Sequence, residues 1–299
     1  MASKELERAI ELQRSLFQEF GTAQTPEEFR RIYDRFMGQF PPPADLKIQP
    51  VNTGGVPAEW VIPPGATAGR TILYFHGGGY VVGGPKGYRE MVSHIARAAQ
   101  AQALVLDYRL APEHPHPAAV EDAVAAYRWL LESGVKPRRT VLAGDSAGGG
   151  LTVATLVALR ARGNPLPAAG VCLSPWVDME ITGKSMDTNA DADPLVKRDV
   201  VANMATAYLQ GQDPRTPLAS PLHAQLEGVS PLLIQVGTAE TLLDDATRLA
   251  ERARSAGVDV TLESWPDMIH VWQWFGSFLP EARQAIDRIG EFIRQRTKE

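Results

Sequence analysis

The chain has 299 residues, of which 44% are hydrophobic and 22% are charged, a composition typical of a globular protein with a large core. The 30 Lys and Arg against 35 Asp and Glu give a formal net charge of −5, so the sequence lacks the basic excess that nucleic-acid binding requires. The single cysteine, Cys172, excludes an intrachain disulfide.

The N-terminal residues are charged and do not form the apolar run of a signal peptide. No stretch of the sequence approaches the roughly 20 apolar residues that a membrane-spanning helix needs. We therefore expect a cytoplasmic protein without stable membrane insertion.

Two helices are predicted at the start of the chain. Apolar side chains recur at helical spacing over residues 4–20, and Thr25 followed by Pro26 has the form of an N-cap with a first-turn proline. Phe40–Pro43 ends the second helix because consecutive prolines cannot continue it. We expect residues 1–45 to form cap helices that pack on the rest of the protein.

Residues 46–299 alternate short apolar runs with helical stretches. Continuous apolar strands separated by helices indicate an α/β fold with a mostly parallel sheet that helices cover on both faces. Only a loop separates the first two runs, so the sheet is expected to begin with an antiparallel pair. The predicted strands are Leu46–Val51, Ala58–Ile62, Thr71–Phe75, Ala103–Asp107, Thr140–Ala143, Gly170–Leu173, Leu232–Val236 and Val258–Glu263, and the predicted helices are Pro117–Glu132, Ala147–Arg162, Thr241–Ala256 and Pro280–Arg296.

The interval from Trp176 to Ser230 breaks this alternation. It is rich in Asp, Pro and Thr, and it has one predicted helix, Lys197–Gln210. Open α/β sheets bind ligands at the carboxyl ends of their strands. We therefore predict a cap insertion, around residues 177–215, above that edge of the sheet.

The segment Gly144–Gly148 has the pattern G-x-S-x-G and lies between a predicted strand and a predicted helix. This order is typical of a nucleophile elbow, in which the serine occupies a tight, strained turn. A glycine-rich helix cap is the alternative for the pentapeptide alone. Its position after a buried strand favours Ser146 as a nucleophile.

The segment His76–Tyr80, with three consecutive glycines, directly follows the predicted strand Thr71–Phe75. Glycines allow main-chain N–H groups to approach a reacting carbonyl and to stabilise the negative charge that develops on its oxygen. We predict Gly78, Gly79 and Ala147 as these donors. A phosphate-binding loop is the alternative, but the segment lacks the Lys-Ser/Thr of a P-loop, and neither glycine cluster has the pattern G-x-G-x-x-G.

A serine nucleophile needs a base that removes its proton and an acid that orients the base. In this architecture the chain order is serine, acid, histidine. His270 follows the last predicted strand and is the predicted base, whereas His223 precedes the penultimate strand and comes too early.

The acid is expected in the loop after the penultimate strand, Leu232–Val236. Glu240 lies in that loop and is the predicted acid. Asp244 and Asp245, about one turn into the following predicted helix, are the alternatives.

With these motifs the sequence resembles the hormone-sensitive-lipase-like family of α/β-hydrolase carboxylesterases, in particular its bacterial members. The matching stretches extend from the N-terminal helices to the end of the chain. They include His76–Tyr80, Asp107–Glu113, Gly144–Gly149, Leu173–Trp176, Ser220–Leu222 and Gly237–Asp245.

This resemblance implies an eight-stranded, mostly parallel sheet and a cap built from the N-terminal helices plus an insertion. It also implies hydrolysis of short- to medium-chain acyl esters, without a cofactor or a metal ion. The predicted nucleophile, base and N–H donors occupy the matching positions of the family. Glu240-Thr241-Leu242 departs from the commoner Asp-Pro-Leu, so a glutamate replaces the usual aspartate.

In the matching stretch Asp107–Glu113, we interpret Asp107, Arg109 and Glu113 as a buried polar network that supports the active-site loops. The predicted strand Val258–Glu263, near the end of the sheet, is a candidate for pairing with its twin in a homodimer, as the resemblance implies.

Two alternative functions stay open at this point. An amidase, lactonase or thioesterase would use the same machinery, because acyl-transfer motifs do not distinguish leaving groups. A catalytically silent small-molecule-binding protein would use the same fold without its chemistry. The presence of both Ser146 and His270 favours an esterase.

Overall fold

The computed structural model describes residues 3–67 and 69–298 of the chain. Eight strands form one sheet: β1 Lys47–Asn52, β2 Pro57–Ile62, β3 Thr71–Phe75, β4 Gln102–Leu106, β5 Thr140–Asp145, β6 Ala169–Leu173, β7 Leu232–Gly237 and β8 Val260–Trp265. Their spatial order is β1-β2-β4-β3-β5-β6-β7-β8. The β1–β2 and β2–β4 pairs are antiparallel, and the other neighbouring pairs are parallel.

Helices occupy the connections between strands and both ends of the chain. The helices are α1 Lys4–Phe20, α2 Pro26–Met37, α3 Pro85–Ala99, α4 Ala118–Glu132, α5 Ala147–Ala161, α6 Ser185–Thr188, α7 Arg198–Leu209, α8 Leu243–Ser255 and α9 Pro280–Arg296. α3 packs against α9, and α4 packs against α5. Among the described residues, no helix is long and apolar enough to cross a membrane.

The core lies on the central strands. Every residue of β3, β5, β6 and β7 is buried, because parallel strands with helices on both faces have no solvent side. The edge strands β1 and β8 consist of half-buried and exposed residues. The continuous apolar runs of the sequence thus correspond to the centre of the sheet.

The N-terminal helices and the insertion before β7 approach the same end of the sheet. α1 buries Leu6, Ala9, Leu16 and Phe20, and it packs on α2. The insertion contains α6 and α7 and closes with a single turn at Pro221–His223. Both segments contribute side chains to the cavity described below.

The α/β fold with a mostly parallel eight-stranded sheet and an antiparallel start is confirmed. Two helices are missing from the sequence-based prediction, the four-residue α6 of the insertion and a longer helix between β3 and β4. The longer one is α3. Its buried side includes Glu90 and Ser93 beside Met91 and Val92, and these polar residues interrupt the apolar periodicity.

The buried polar network proposed for Asp107, Arg109 and Glu113 is wrong, because all three residues are exposed. Arg109 pairs with Asp122 of α4 at 2.7 Å. Glu113 pairs with Arg30 of α2 at 2.6 Å. These side chains therefore connect surface elements, and the second pair attaches α2 to the loop that follows β4.

Candidate active site

Ser146 lies on the sharp turn between β5 and α5. Its backbone has φ of +54° and ψ of −119°, a strained conformation for a residue other than glycine, and its N–H donates to the carbonyl of Leu173 at 2.8 Å. A Cβ at Gly144 would collide with the carbonyl oxygen of Gly148, and one at Gly148 would collide with that of Phe75. The turn therefore requires glycine at both positions, and it places Ser146 on the wall of a cavity.

The glycine loop after β3 lies beside this turn. Gly78 and Gly79, with φ of +104° and +61°, line the same cavity as Ser146. Ala147 is the first residue of α5, where N–H groups have no partner within the helix. Within the described residues, the N–H groups of Gly78, Gly79 and Ala147 donate to no protein acceptor. Such unpaired N–H groups can stabilise negative charge.

A buried network joins the glycine loop to the turn. Oδ1 of Asp145 accepts hydrogen bonds from the N–H of Gly77 at 3.1 Å and the hydroxyl of Tyr74 at 2.8 Å, and Oδ2 accepts from Tyr88 at 3.1 Å. The hydroxyl of Tyr33 in α2 lies 2.5 Å from that of Tyr88. Burial raises the pKa of Asp145 to about 6. The network fixes the loop relative to the residue that precedes Ser146.

His270 and Glu240 come together from the loops after β8 and β7, and both are buried. Nδ1 of His270 lies 3.0 Å from Oε2 of Glu240. Oε1 of Glu240 accepts hydrogen bonds from the N–H of Gly237 at 2.6 Å and from the hydroxyl of Ser174 at 2.7 Å. One carboxylate oxygen thus faces the imidazole while two donors hold the other. His270 also lines the cavity that contains Ser146.

The electrostatics of this pair favour a basic imidazole. Burial alone would lower the pKa of His270, but the hydrogen bond and negative charge of Glu240, with smaller contributions from Asp193 and Asp145, raise it above its ordinary value. Burial raises the pKa of Glu240. An imidazole held in this way can accept a proton from a hydroxyl group.

The two alternative acids have other partners. Oδ2 of Asp245 accepts hydrogen bonds from the N–H groups of Val177 and Asp178, at 2.9 and 3.1 Å. Oδ2 of Asp244 accepts from the N–H of Ser185 at 3.1 Å. Both carboxylates hold the backbone of the insertion, and Glu240 is the acid that contacts His270.

A further carboxylate connects the insertion to the loop after β7 that carries Glu240, called the acid loop below. Asp193 is completely buried, and its Oδ1 accepts hydrogen bonds from the N–H groups of Leu195 and Val196. Its Oδ2 accepts from the N–H of Thr241 at 2.9 Å and from the hydroxyl of the same residue at 3.1 Å. The insertion is therefore anchored to the residue that follows Glu240.

One group of potential metal ligands is present in the described part of the chain. Atoms of Asp178, Glu180 and His223 lie within 4.8 Å of one another. Arg248 pairs with Asp178 at 3.0 Å, and Arg215 lies 3.7 Å from Glu180. Nε2 of His223 is 3.1 Å from Glu180. These contacts form an ion-pair cluster that connects the beginning of the insertion to its end.

The cavity has a volume of about 60 Å³ and a largely apolar wall. Its side chains come from the two N-terminal helices, from the insertion and from the loops around Ser146. The residues of the wall are Phe20, Tyr33, Gly78, Gly79, Val82, Ser146, Trp176, Leu195, Val196, Val200, Val201, Met204, Leu242, His270 and Trp274.

Sequence reasoning assigns no role to Ser174 or to Asp193, although both contact the acid loop. Ser174 directly follows a predicted strand at the carboxyl edge of the sheet, and this position is the sequence feature that could have identified it. Asp193 lies in an irregular segment, where no periodicity indicates its burial.

Comparisons with known proteins agree with this geometry. The family model for the α/β-hydrolase fold matches residues 72–274. An acetyl-hydrolase of Streptomyces hygroscopicus is 50% identical, with 100% of this chain and 99% of that protein covered. An esterase of Acinetobacter venetianus is 34% identical, with 89% and 88% covered.

A crystal structure of an esterase from the bacterial hormone-sensitive lipase family is 55% identical to the chain, with a TM-score of 0.97 and all of both chains covered. The family resemblance and the enzyme class that the sequence predicts are thereby confirmed. The chain belongs to the hormone-sensitive-lipase-like esterases of the α/β-hydrolase family and is a carboxylesterase.

Proposed function

We propose that this carboxylesterase uses Ser146 as nucleophile, His270 as general base and Glu240 as the acid that orients the base. The observation that carries this proposal is the 3.0 Å contact between His270 and Glu240, with His270 on the same cavity wall as Ser146. The free N–H groups of the glycine loop and of α5 support it, because they can form an oxyanion hole.

In the acylation step, His270 takes the proton of the Ser146 hydroxyl while the hydroxyl oxygen attacks the ester carbonyl carbon. The C=O electron pair moves onto the carbonyl oxygen, which the three free N–H groups stabilise. Glu240 keeps the Nδ1 proton of His270 in place and stabilises the imidazolium. The imidazolium then protonates the departing alcohol, and an acyl group remains on Ser146.

Deacylation repeats these steps with water. His270 accepts a proton from the water molecule as its oxygen attacks the acyl carbonyl. The same N–H groups of Gly78, Gly79 and Ala147 stabilise the second tetrahedral intermediate. Collapse of this intermediate releases the carboxylic acid and returns the proton to Ser146.

The size of the cavity supports short acyl groups within the short- to medium-chain range. One water molecule needs roughly 10–15 Å³ of such volume, so about 60 Å³ accommodates about four to six non-hydrogen atoms. We propose acyl chains of about two to four carbon atoms as the best substrates. The similar protein from Streptomyces, an acetyl-hydrolase, supports this choice.

Covalent labelling tests the assignment. We expect Ser146→Ala to lose fluorophosphonate labelling and hydrolysis of p-nitrophenyl acetate while its near-UV circular dichroism stays unchanged. We expect His270→Gln to react with both reagents at least about 10³-fold more slowly. His223→Gln is the matched control, because His223 lies in the ion-pair cluster of the insertion, and it should retain activity. Labelling of the Ser146→Ala protein at the wild-type rate would refute the nucleophile.

A panel of substrates with one short acyl group decides the leaving group. We expect kcat/KM for the acyclic oxygen ester to exceed that for the matching thioester and amide and for a lactone. A higher value for the thioester or the amide would replace ester hydrolysis as the principal activity, and a higher value for the lactone would identify a cyclic ester as the preferred substrate. The absence of turnover for every substrate, together with no labelling, would indicate a silent binding protein.

A further inference from the structure

Ser174 is the first residue after β6, and the fold fixes its conformation. It is completely buried, and its φ of +45° lies in the left-handed region that residues other than glycine rarely adopt. Its N–H donates to the carbonyl of Gln235 in β7 at 2.7 Å. Because this hydrogen bond to the neighbouring strand holds the backbone, the fold itself fixes the direction of the Ser174 side chain.

The hydroxyl of Ser174 connects two loops of the active site. Oγ donates a hydrogen bond to Oε1 of Glu240 at 2.7 Å and accepts one from the N–H of Val271 at 3.1 Å. Val271 follows His270 and has a left-handed φ of +47°. One hydroxyl group therefore bonds to the carboxylate of the acid and to the backbone beside the base.

The residue before Ser174 contacts the turn that carries Ser146. The carbonyl of Leu173 accepts the N–H of Ser146 at 2.8 Å. The end of β6 thus bonds to the chain segments of nucleophile, acid and base. These segments are far apart in sequence, since the Ser174 bonds span 66 and 97 residues.

We propose that Ser174 is a positioning residue, whose hydroxyl fixes Glu240 and the His270 loop relative to one another. This inference rests on the proposed triad and adds a residue that acts through it. Within the described residues, Ser174 is not part of the cavity wall, so it acts on the triad rather than on the substrate.

The hydroxyl also changes the proton affinity of the Glu240–His270 pair. The O–H of Ser174 stabilises the charged carboxylate and thus lowers the proton affinity of Glu240. The Glu240–His270 pair is active when the imidazole is neutral, and it is inactive when the pair has bound one further proton. Removal of the hydroxyl therefore makes the pair hold its extra proton to higher pH.

Steady-state kinetics of Ser174→Ala test the proposal, with p-nitrophenyl acetate as substrate. We expect kcat to fall about 10- to 100-fold, the effect of losing a hydrogen bond to a charged group. KM should stay within about twofold of the wild-type value. The acid limb of kcat/KM should move to higher pH, a change that a merely structural role would not produce.

Two further variants separate the hydroxyl from its surroundings. Ser174→Gly suits the positive φ but lacks the hydroxyl, so it should be as impaired as Ser174→Ala. Ser185→Ala is the matched control, because the Ser185 hydroxyl also donates one hydrogen bond, to the carbonyl of Thr241, and accepts one, from the N–H of Asp244. It does not contact the carboxylate of Glu240, and its acid limb should stay at the wild-type pH.

Three results would overturn the proposal: wild-type kcat and pH profile in Ser174→Ala, recovery of activity in Ser174→Gly, or an equal displacement of the acid limb in Ser185→Ala. Thermal unfolding of each variant shows whether it is folded at the assay temperature. Failure of the triad itself is recognised separately, because Ser146→Ala would then remain active.

Discussion

Glu240 illustrates how much one side chain contributes at this site. Its carboxylate is buried, accepts hydrogen bonds from Gly237 and Ser174, and faces Nδ1 of His270. A buried carboxylate without such donors would take up a proton. The donors therefore favour the charged carboxylate, which in the proposed mechanism orients the imidazole and stabilises its protonated form.

The substitution Glu240→Gln removes this charge while it preserves the size of the side chain. We expect kcat for p-nitrophenyl acetate to fall about 10³- to 10⁴-fold, because the amide can favour the wrong imidazole tautomer. Glu240 raises the pKa of His270, so the acid limb of the residual activity should move to lower pH. A pH profile of kcat/KM measures both effects.

An opposite or absent displacement of the acid limb in Glu240→Gln would contradict the role of Glu240. Asp244→Asn is the control for a neighbouring acid, because its carboxylate bonds to the backbone of Ser185 instead of to His270. This control should retain the wild-type acid limb.

The residues of the proposed triad could be selected from the sequence because the chemistry proposed for them constrains their sequence context. Ser146 requires small neighbours on a strand–turn–helix, and Glu240 and His270 must follow particular strands. Ser174 has no such local requirement, since its partners lie 66 and 97 residues away. Asp107 was assigned to a buried network because it lies in a stretch that matches the family, but its side chain is exposed.

Among the elements, α1 and α2 contribute directly to the site. Nε2 of Gln13 donates to the carbonyl of His270 at 2.5 Å, and Phe20 and Tyr33 line the cavity. Arg30 of α2 pairs with Glu113 and donates hydrogen bonds to the backbone carbonyls of Val81 and Ala111. The N-terminal helices therefore form part of the wall of the cavity that contains Ser146.

Truncation of Phe20 at the end of α1 should widen the cavity. We expect Phe20→Ala to raise kcat/KM for p-nitrophenyl hexanoate relative to the acetate by about 10-fold or more, because each buried methylene contributes about 0.8 kcal/mol. Phe17→Ala is the matched control, since Phe17 lies in the same helix and is absent from the described cavity wall. Equal chain-length profiles for both variants would show that α1 does not set the acyl limit.

Helices and strands with a regular apolar pattern were predictable within a few residues, as for β3 and α9. The helix α3 was not, because Glu90 and Ser93 lie on its buried side. The orientation of the insertion could not be predicted from the sequence either. It depends on Asp193 and Asp245, whose partners belong to other segments of the chain.

For the whole molecule, the free edge of β8 is the feature that suggests an assembly. The carbonyls of Asp259 and Trp265 accept hydrogen bonds from the β7 side. Since successive residues of a strand alternate, the backbone groups of Val260, Leu262 and Ser264 face outward, and of these the carbonyl of Val260 accepts a hydrogen bond from Arg254 at 3.2 Å. We propose that two copies of the chain pair through the backbone groups of Leu262 and Ser264.

Sedimentation velocity at micromolar concentration tests this pairing. We expect the wild-type protein to sediment as a dimer and Ser264→Pro as a monomer, because proline removes an outward N–H from an exposed position. Ser264→Ala retains that N–H and should remain dimeric. A monomeric wild-type protein, or a dimeric proline variant, would exclude assembly through β8.

The aromatic rings of the cavity wall have an optical consequence. Two of the six tryptophans, Trp176 and Trp274, border the space that an acyl group would fill. A guest that displaces water from this space alters the surroundings of both indoles, so intrinsic fluorescence becomes a gauge of occupancy. In the Ser146→Ala protein, that emission would follow ester binding with no turnover to obscure it.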